Sequence, residues 1–140
     1  MFISTGINDS PVITGKATAA INNGAFLAVK FDGNGGIVLA GAGENALGLL
    51  IATTPEKVEA GEDVTVQIKD IGLWITGAAV AAGAELTSDA NGAAVTAAQG
   101  DYVTAIALEA ATAAGQVIKF KSLSQANCRL KTNKKGDSRP

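Results

Sequence analysis

The chain contains the segment Asp32-Gly-Asn-Gly-Gly-Ile-Val-Leu-Ala-Gly-Ala-Gly43 and, 57 residues later, a diverged copy of it, Asp89-Ala-Asn-Gly-Ala-Ala-Val-Thr-Ala-Ala-Gln-Gly100. Six of the twelve aligned positions are identical, and an acidic residue, Glu44 or Asp101, follows each copy. The alignment resumes at an offset of 54 residues, where Val64 and Val66 align with Ile118 and Phe120. Two copies of one unit predict an architecture of repeats, and they direct attention to surfaces and assembly.

Each copy is centred on an Asp-x-Asn-Gly sequence. Glycine and asparagine accept the positive φ angles of tight turns, so these sequences predict hairpins, the first between strands at 26–31 and 36–40. Calcium loops also use Asp and Asn oxygens, but neither copy has the full ligand spacing or a closing glutamate. We therefore expect turns here and no metal site.

Strand signals continue along the rest of the chain. Residues 63–70 alternate, with Val64, Val66 and Ile68 on one face, as in a half-buried antiparallel strand. Further candidate strands are 47–52, 71–76, 84–87, 93–96, 102–108 and 116–123. The alanine-rich stretches 77–84 and 109–114 are too short and too glycine-rich for stable helices. The prediction is an all-β fold, a small β-sandwich or partly open β-barrel built from two related hairpin-rich repeats.

Composition predicts a thin core. Of the 140 residues 47% are hydrophobic, but only 4% are aromatic and many of the others are alanine. Alanine buries little area, and apolar burial is worth roughly 25 cal/mol per Å². Because such a monomer would be marginally stable, we expect a homo-oligomer.

The sequence argues against most kinds of chemistry. There is no histidine and one cysteine, Cys128, so neither an internal disulfide nor a Cys/His zinc cluster can form. A GxSxG elbow and a phosphate-cradling loop are also missing, so we predict no enzyme, no cofactor and no small-molecule ligand. No run of 18 apolar residues predicts a membrane span, and an acidic body makes nucleic acid an unsuitable partner.

The chain divides into three predicted parts. Residues 1–23 form an extended N-terminal arm, residues 24–123 a β-rich body with repeats at about 24–70 and 83–123, and residues 124–140 a flexible basic tail. Residues 129–140 carry five basic residues and one acid, whereas the rest carries six lysines and twelve acids. A basic tail of this kind is typically solvated and disordered, and the alternative is contact with an acidic partner or nucleic acid.

Four apolar residues are candidates for an interface. Phe2, Ile3 and Ile7 lie in the arm, where they have no obvious core to join and are suited to docking on a partner or a neighbouring subunit. Trp74, the single tryptophan, has two interpretations. It is either a core residue between sheets or an anchor at a subunit interface.

Three segments of the body carry a family resemblance: Asp89 to Val95, Gly100 to Gly115 with the following strand Val117 to Phe120, and Gly61 to Ile68. On these segments the region 24–123 resembles the small decoration, or cement, proteins of tailed-bacteriophage capsids, including head-fibre proteins. The first twenty residues fit the family only by their position as an arm, and residues 124–140 match nothing in it.

The resemblance implies a non-enzymatic virion protein that binds the outer surface of a capsid. It implies a homotrimer at a three-fold or quasi-three-fold position, with the major capsid protein as partner, and stabilisation of the shell by bridging capsid subunits. Synthesis would take place in the cytoplasm of the bacterial host. Two other functions stay open. One is a free-standing adhesion or carbohydrate-binding module with a shallow patch containing Trp74 and Tyr102. The other is a phage tail or baseplate structural protein.

Overall fold

The computed structural model describes residues 10–128, with side chains to residue 123, and this part of the chain contains strands and turns but no helix. Twelve strands occur: β1 Val12–Lys16, β2 Ile21–Asn22, β3 Ala28–Phe31, β4 Ile37–Leu39, β5 Gly48–Leu50, β6 Lys57–Val58, β7 Asp63–Gln67, β8 Ile71–Ile75, β9 Glu85–Ser88, β10 Ala94–Thr96, β11 Tyr102–Ala107 and β12 Val117–Cys128. The all-β prediction is confirmed.

The strands form two five-stranded antiparallel sheets and one small two-stranded sheet, and none of them closes into a barrel. The first sheet has the order β1-β7-β5-β3-β4, and β2 pairs with β6 beside it. The second has the order β8-β12-β11-β9-β10. Residues 12–67 therefore build the first sheet and the small one beside it, and residues 71–128 build the second. Each structural repeat is longer than the predicted repeats at about 24–70 and 83–123, because β1 and β2 join the first and β8 joins the second.

The two sheets are copies of one topology, strand for strand. Adding 57 to the bounds of β3 and β4 gives the bounds of β9 and β10. The register agrees: Val29 pairs with Gly48 in the first sheet, and Leu86 pairs with Ala105 in the second. Adding 54 relates β7 to β12, as the sequence alignment predicts. The internal duplication is therefore structural.

The duplicated turns use the same hydrogen bonds. The Asp32 carboxylate accepts from the amides of Asn34 (2.7 Å) and Gly36 (3.1 Å), and the Asp89 carboxylate accepts from those of Asn91 (2.8 Å) and Ala93 (3.0 Å). Each turn also has a glycine with positive φ, Gly35 at 90° and Gly92 at 83°. Both sequences act as hairpin turns.

Each repeat has its own apolar core, and the sizes of equivalent side chains compensate. Gly15 and Trp74 are equivalent, since they pair with the equivalent residues Val64 and Ile118. A Cβ on Gly15 would lie 2.8 Å from Cγ1 of Ile37, so isoleucine fills this space in the first repeat. In the second repeat Trp74 fills it, and the residue equivalent to Ile37 is an alanine, Ala94.

The repeats contact each other directly. Ala28, Ala40 and Leu49 of the first repeat are buried in the core of the second. The backbones are also joined, because the Ala28 amide donates to the Gly92 carbonyl (2.8 Å) and the Gly43 amide donates to the Ser88 carbonyl (2.9 Å). One continuous body results.

The segment boundaries of the described residues differ from those predicted. Residues 12–16 and 21–22 lie in sheets although residues 1–23 were expected to form an arm, because β1 pairs along the whole of β7. At the other end, β12 continues to Cys128, beyond the boundary predicted at residue 123, because its last residues pair with β11.

Candidate functional site

The arm residues Phe2, Ile3 and Ile7 lie outside the described residues, so their interface role stays a prediction. The described chain begins at Ser10, and the Pro11 carbonyl accepts a hydrogen bond from the Ile68 amide (2.7 Å). The described part of the chain therefore begins beside the end of β7.

Trp74 is a core residue. Its side chain is fully buried, its ring meets that of Phe120 edge to face at a centroid distance of 5.9 Å, and its Nε1 donates to the Gly92 carbonyl (2.9 Å). The indole thus ties β8 to the turn between β9 and β10. Because no part of the indole is exposed, Trp74 cannot anchor an interface in this conformation. For the same reason, Trp74 and Tyr102 do not form the shallow carbohydrate-binding patch.

A different surface has the character of an interface. Four large apolar side chains are exposed on the outer face of the second sheet: Ile71 (60%), Leu73 (40%), Leu108 (42%) and Val117 (42%). We call this group the apolar face. Within the part of the chain that the structure describes, the other exposed large apolar side chains are Phe31 (51%) and Tyr102 (38%).

The register of β8 and β12 holds the apolar face together. Leu73 lies opposite Lys119, Ile71 opposite Lys121, and Val117 opposite Ile75. Directly opposite residues share one side of an antiparallel sheet, so apolar side chains and two lysines alternate on this face. Trp74 points to the other side, into the core. The result is an exposed apolar surface with positive charge.

The first repeat shows that the fold does not require apolar residues at these positions. The residues equivalent to Leu73 and Val117 are Thr14 and Asp63. Asp63 forms an exposed ion pair with Lys16 at 2.8 Å, where the second repeat has Val117 beside Ile75. The same strand pair therefore forms with polar residues at these positions.

The two carboxyl groups with a lowered pKa, those of Asp32 and Glu44, accept hydrogen bonds within turns. The Thr18 hydroxyl, at 2.5 Å, is the main cause that holds the pKa of Asp32 below its ordinary value, with the Asn34 amide second. A hydrogen bond from Lys30 lowers the pKa of Glu44, and the Gly41 amide adds to it. Both carboxyls therefore fix loop geometry.

The described residues contain no cluster of three or more potential metal-ligating side chains, and no helix able to cross a membrane. Of the sequence-predicted site residues, the structure places Trp74 alone, and in the core. The apolar face was missed, because isoleucine and leucine in a strand look like core residues. The equivalence of Leu73 and Thr14 comes from their pairing with β12 and β7, and the offsets of 57 and 54 residues in the sequence alignment do not bring these two residues together.

Residues 7–122 match the model of a family described as phage cement protein. Among solved structures, the chain is similar to the N base of the head fibre gp8.5 of bacteriophage phi29, with 19% sequence identity and a TM-score of 0.60, over 81% of this chain and 94% of that chain. That likeness supports the fold. No curated protein matches the chain in sequence.

Proposed function

Because this chain belongs to the phage cement protein family, we propose that it binds the outer surface of a tailed-phage capsid. There it would stabilise the shell by bridging major capsid subunits. Membership confirms the resemblance drawn from the sequence. It makes the chain a structural, capsid-associated protein of the virion surface. The bridging role, the trimeric state, the lack of enzymatic activity and synthesis in the host cytoplasm are parts of the proposal.

The apolar face carries the proposal. Ile71, Leu73, Leu108 and Val117 present a surface that the equivalent strands of the first repeat do without. Fully burying one such side chain contributes about 1.5–3 kcal/mol. Lys119 and Lys121, also exposed, give this surface positive charge, which favours an acidic partner. A capsid surface with an apolar, acid-rimmed depression fits it.

Avidity supplies the stabilising effect. A homotrimer presents three copies of the apolar face, and each copy can hold a different capsid subunit. Once one copy is bound, the others bind as intramolecular events, so modest single contacts become a strong bridge. Loss of one subunit from the shell then requires several contacts to break together.

Co-sedimentation with purified expanded capsids tests the proposal. The variants Leu73→Asp and Val117→Asp should bind at least about 10-fold more weakly, because each places a charge in the contact. Thr14→Asp, at the position equivalent to Leu73, is the matched control and should bind like the unaltered protein. Thermal unfolding followed by circular dichroism shows that all three are folded.

Equal binding by the Leu73→Asp and Thr14→Asp variants would rule out the apolar face as the capsid contact. An unaltered protein that fails to pellet with any capsid, and instead binds a polysaccharide, would replace the proposal with the adhesion function.

A further inference from the structure

The chain contains three asparagines that are followed directly by glycine, in the pairs Asn23-Gly24, Asn34-Gly35 and Asn91-Gly92. Such a pair is open to a reaction in which the glycine amide nitrogen attacks the side-chain carbonyl carbon of the asparagine. Glycine favours the reaction because it has no side chain to hinder the approach. The turn must be able to change its dihedral angles, and the glycine amide must not be held by a hydrogen bond. The structure therefore decides which pair reacts.

The pair Asn91-Gly92 is held in place at the contact between the repeats. The Gly92 amide donates to the Asp89 carbonyl (3.1 Å). The Gly92 carbonyl accepts from the Ala28 amide (2.8 Å) and from Nε1 of Trp74 (2.9 Å). Gly92 is also buried. Its nitrogen can therefore reach the Asn91 side chain only after these hydrogen bonds break.

The pair Asn23-Gly24 is held by packing. The Asn23 amide donates to the Glu56 carbonyl (2.6 Å), and Gly24 is buried. A Cβ on Gly24 would lie 2.6 Å from Cγ2 of Ile21 and 2.9 Å from Cδ1 of Leu50. The backbone at this pair therefore cannot rotate without displacing side chains of the first core.

The pair Asn34-Gly35 is open. Both residues are exposed, and a Cβ on Gly35 would meet no atom within 4 Å. Within residues 10–128 the Gly35 amide has no hydrogen-bond partner, although the equivalent amide of Gly92 has one. The Asp32 carboxylate accepts from the amides on either side, those of Asn34 and Gly36. The turn therefore keeps its shape while the reacting nitrogen is unoccupied.

We propose that Asn34 is a site of spontaneous deamidation, from which the fold protects its duplicate Asn91. The Gly35 nitrogen forms a bond to Cγ of Asn34 and gives up its proton. The bond from Cγ to the side-chain nitrogen breaks, and ammonia leaves with that proton. Water then opens the cyclic imide at either carbonyl, which gives aspartate or isoaspartate at position 34. This reaction depends on neither the capsid contact nor the oligomeric state.

The modification changes the turn between β3 and β4 in two ways. Either product adds a negative charge close to the Asp32 carboxylate. The isoaspartate product also lengthens the main chain by one carbon atom between residues 34 and 35. This carbon moves apart the two amides that donate to Asp32, those of Asn34 and Gly36. The first hairpin would therefore change with the age of the protein, whereas the second would not.

Incubation of the folded full-length protein at mildly alkaline pH tests the assignment. Trypsin cleaves after lysine and places the three pairs on separate peptides, residues 17–30, 31–57 and 70–119. Fragment masses of these peptides should show conversion at Asn34 at least about 10-fold faster than at Asn91, because one net hydrogen bond corresponds to roughly a 5-fold change in population and several must break at Gly92. In water labelled with heavy oxygen, the product should carry one labelled atom.

The same protein unfolded in urea is the matched control, because there the three pairs should convert at similar rates. Asn34→Gln should stop the reaction at this position, since a longer side chain would have to close a larger ring, and it should leave the thermal unfolding transition in place. No conversion at Asn34 in the folded protein, or equal rates at Asn34 and Asn91, would overturn the inference.

Discussion

Gly15 and Trp74 occupy equivalent positions in the two sheets although they are the smallest and the largest residues. The difference is absorbed by their neighbours, since Ile37 faces Gly15 and the corresponding residue near Trp74 is Ala94. Interiors are close-packed, so a core of this kind preserves total volume rather than individual side chains. At the residue scale the repeats have diverged by compensating pairs.

Gly15→Ala should destabilise the protein by about 1–3 kcal/mol, because its Cβ would overpack against Ile37. Ile37→Val removes part of the obstructing side chain, so the double variant should lose less than the sum of the two single losses. Urea unfolding of the four proteins gives the coupling free energy. Strictly additive losses would show that the two residues do not compensate.

The identity of Trp74 as a core residue could be predicted only as one of two alternatives. A strand with apolar residues on both faces, as in Leu73-Trp74-Ile75, does not say which face is inside. The pairing of Trp74 with Ile118 settles it, and that pairing joins residues far apart in sequence. The pairing also turns Leu73 outward, which is why the apolar face escaped notice.

At the scale of elements, the hairpins could be predicted because their signals are local. The Asp-x-Asn-Gly turn predicts the pair β3–β4, and the alternation of apolar and polar residues predicts β7. The short strand β1, Val12–Lys16, could not be predicted in the same way. It is a strand because each of its five residues pairs with a residue of β7, and that partner lies about 50 residues further along the chain.

The turn glycines offer a matched pair of substitutions. Gly35→Ala places a side chain at positive φ in open space and should cost about 1 kcal/mol. Gly92→Ala should cost about 1–2 kcal/mol more, because its Cβ would also press on the Ala28 carbonyl oxygen at the junction of the repeats. Thermal unfolding compares the stability of the two variants. Equal losses of stability would mean that the Ala28 backbone shifts away from the new Cβ without cost.

At the scale of the whole molecule, the second repeat depends on the first for part of its core, but the first does not depend on the second. The buried core of the first repeat consists of its own residues, covered by β2 and β6. The core of the second includes Ala28, Ala40 and Leu49 from the first. The sequence could predict the duplication, but not that one copy lends side chains to the other, because inter-repeat contacts leave no period in the sequence.

Separate expression of residues 1–69 and 70–140 checks this inequality. The first fragment should unfold cooperatively in urea. The second should lose roughly 2–4 kcal/mol, the burial of one leucine and two alanines against its core, and lack a cooperative transition. Mixing the fragments should restore a transition in the second. A second fragment that unfolds cooperatively by itself would contradict the expectation.

The strand order also affects the order in which the repeats fold during synthesis. In each sheet the last strand to be synthesised lies between two earlier ones, β7 between β1 and β5, and β12 between β8 and β11. Neither sheet can close until that strand emerges, and pairings between distant segments form slowly. During translation the first repeat can be complete before β12, which pairs with β8 and packs Phe120 against Trp74, has been synthesised. The finished repeat then offers Ala28 and Leu49 as a preformed surface, so we expect folding to proceed from the first repeat to the second.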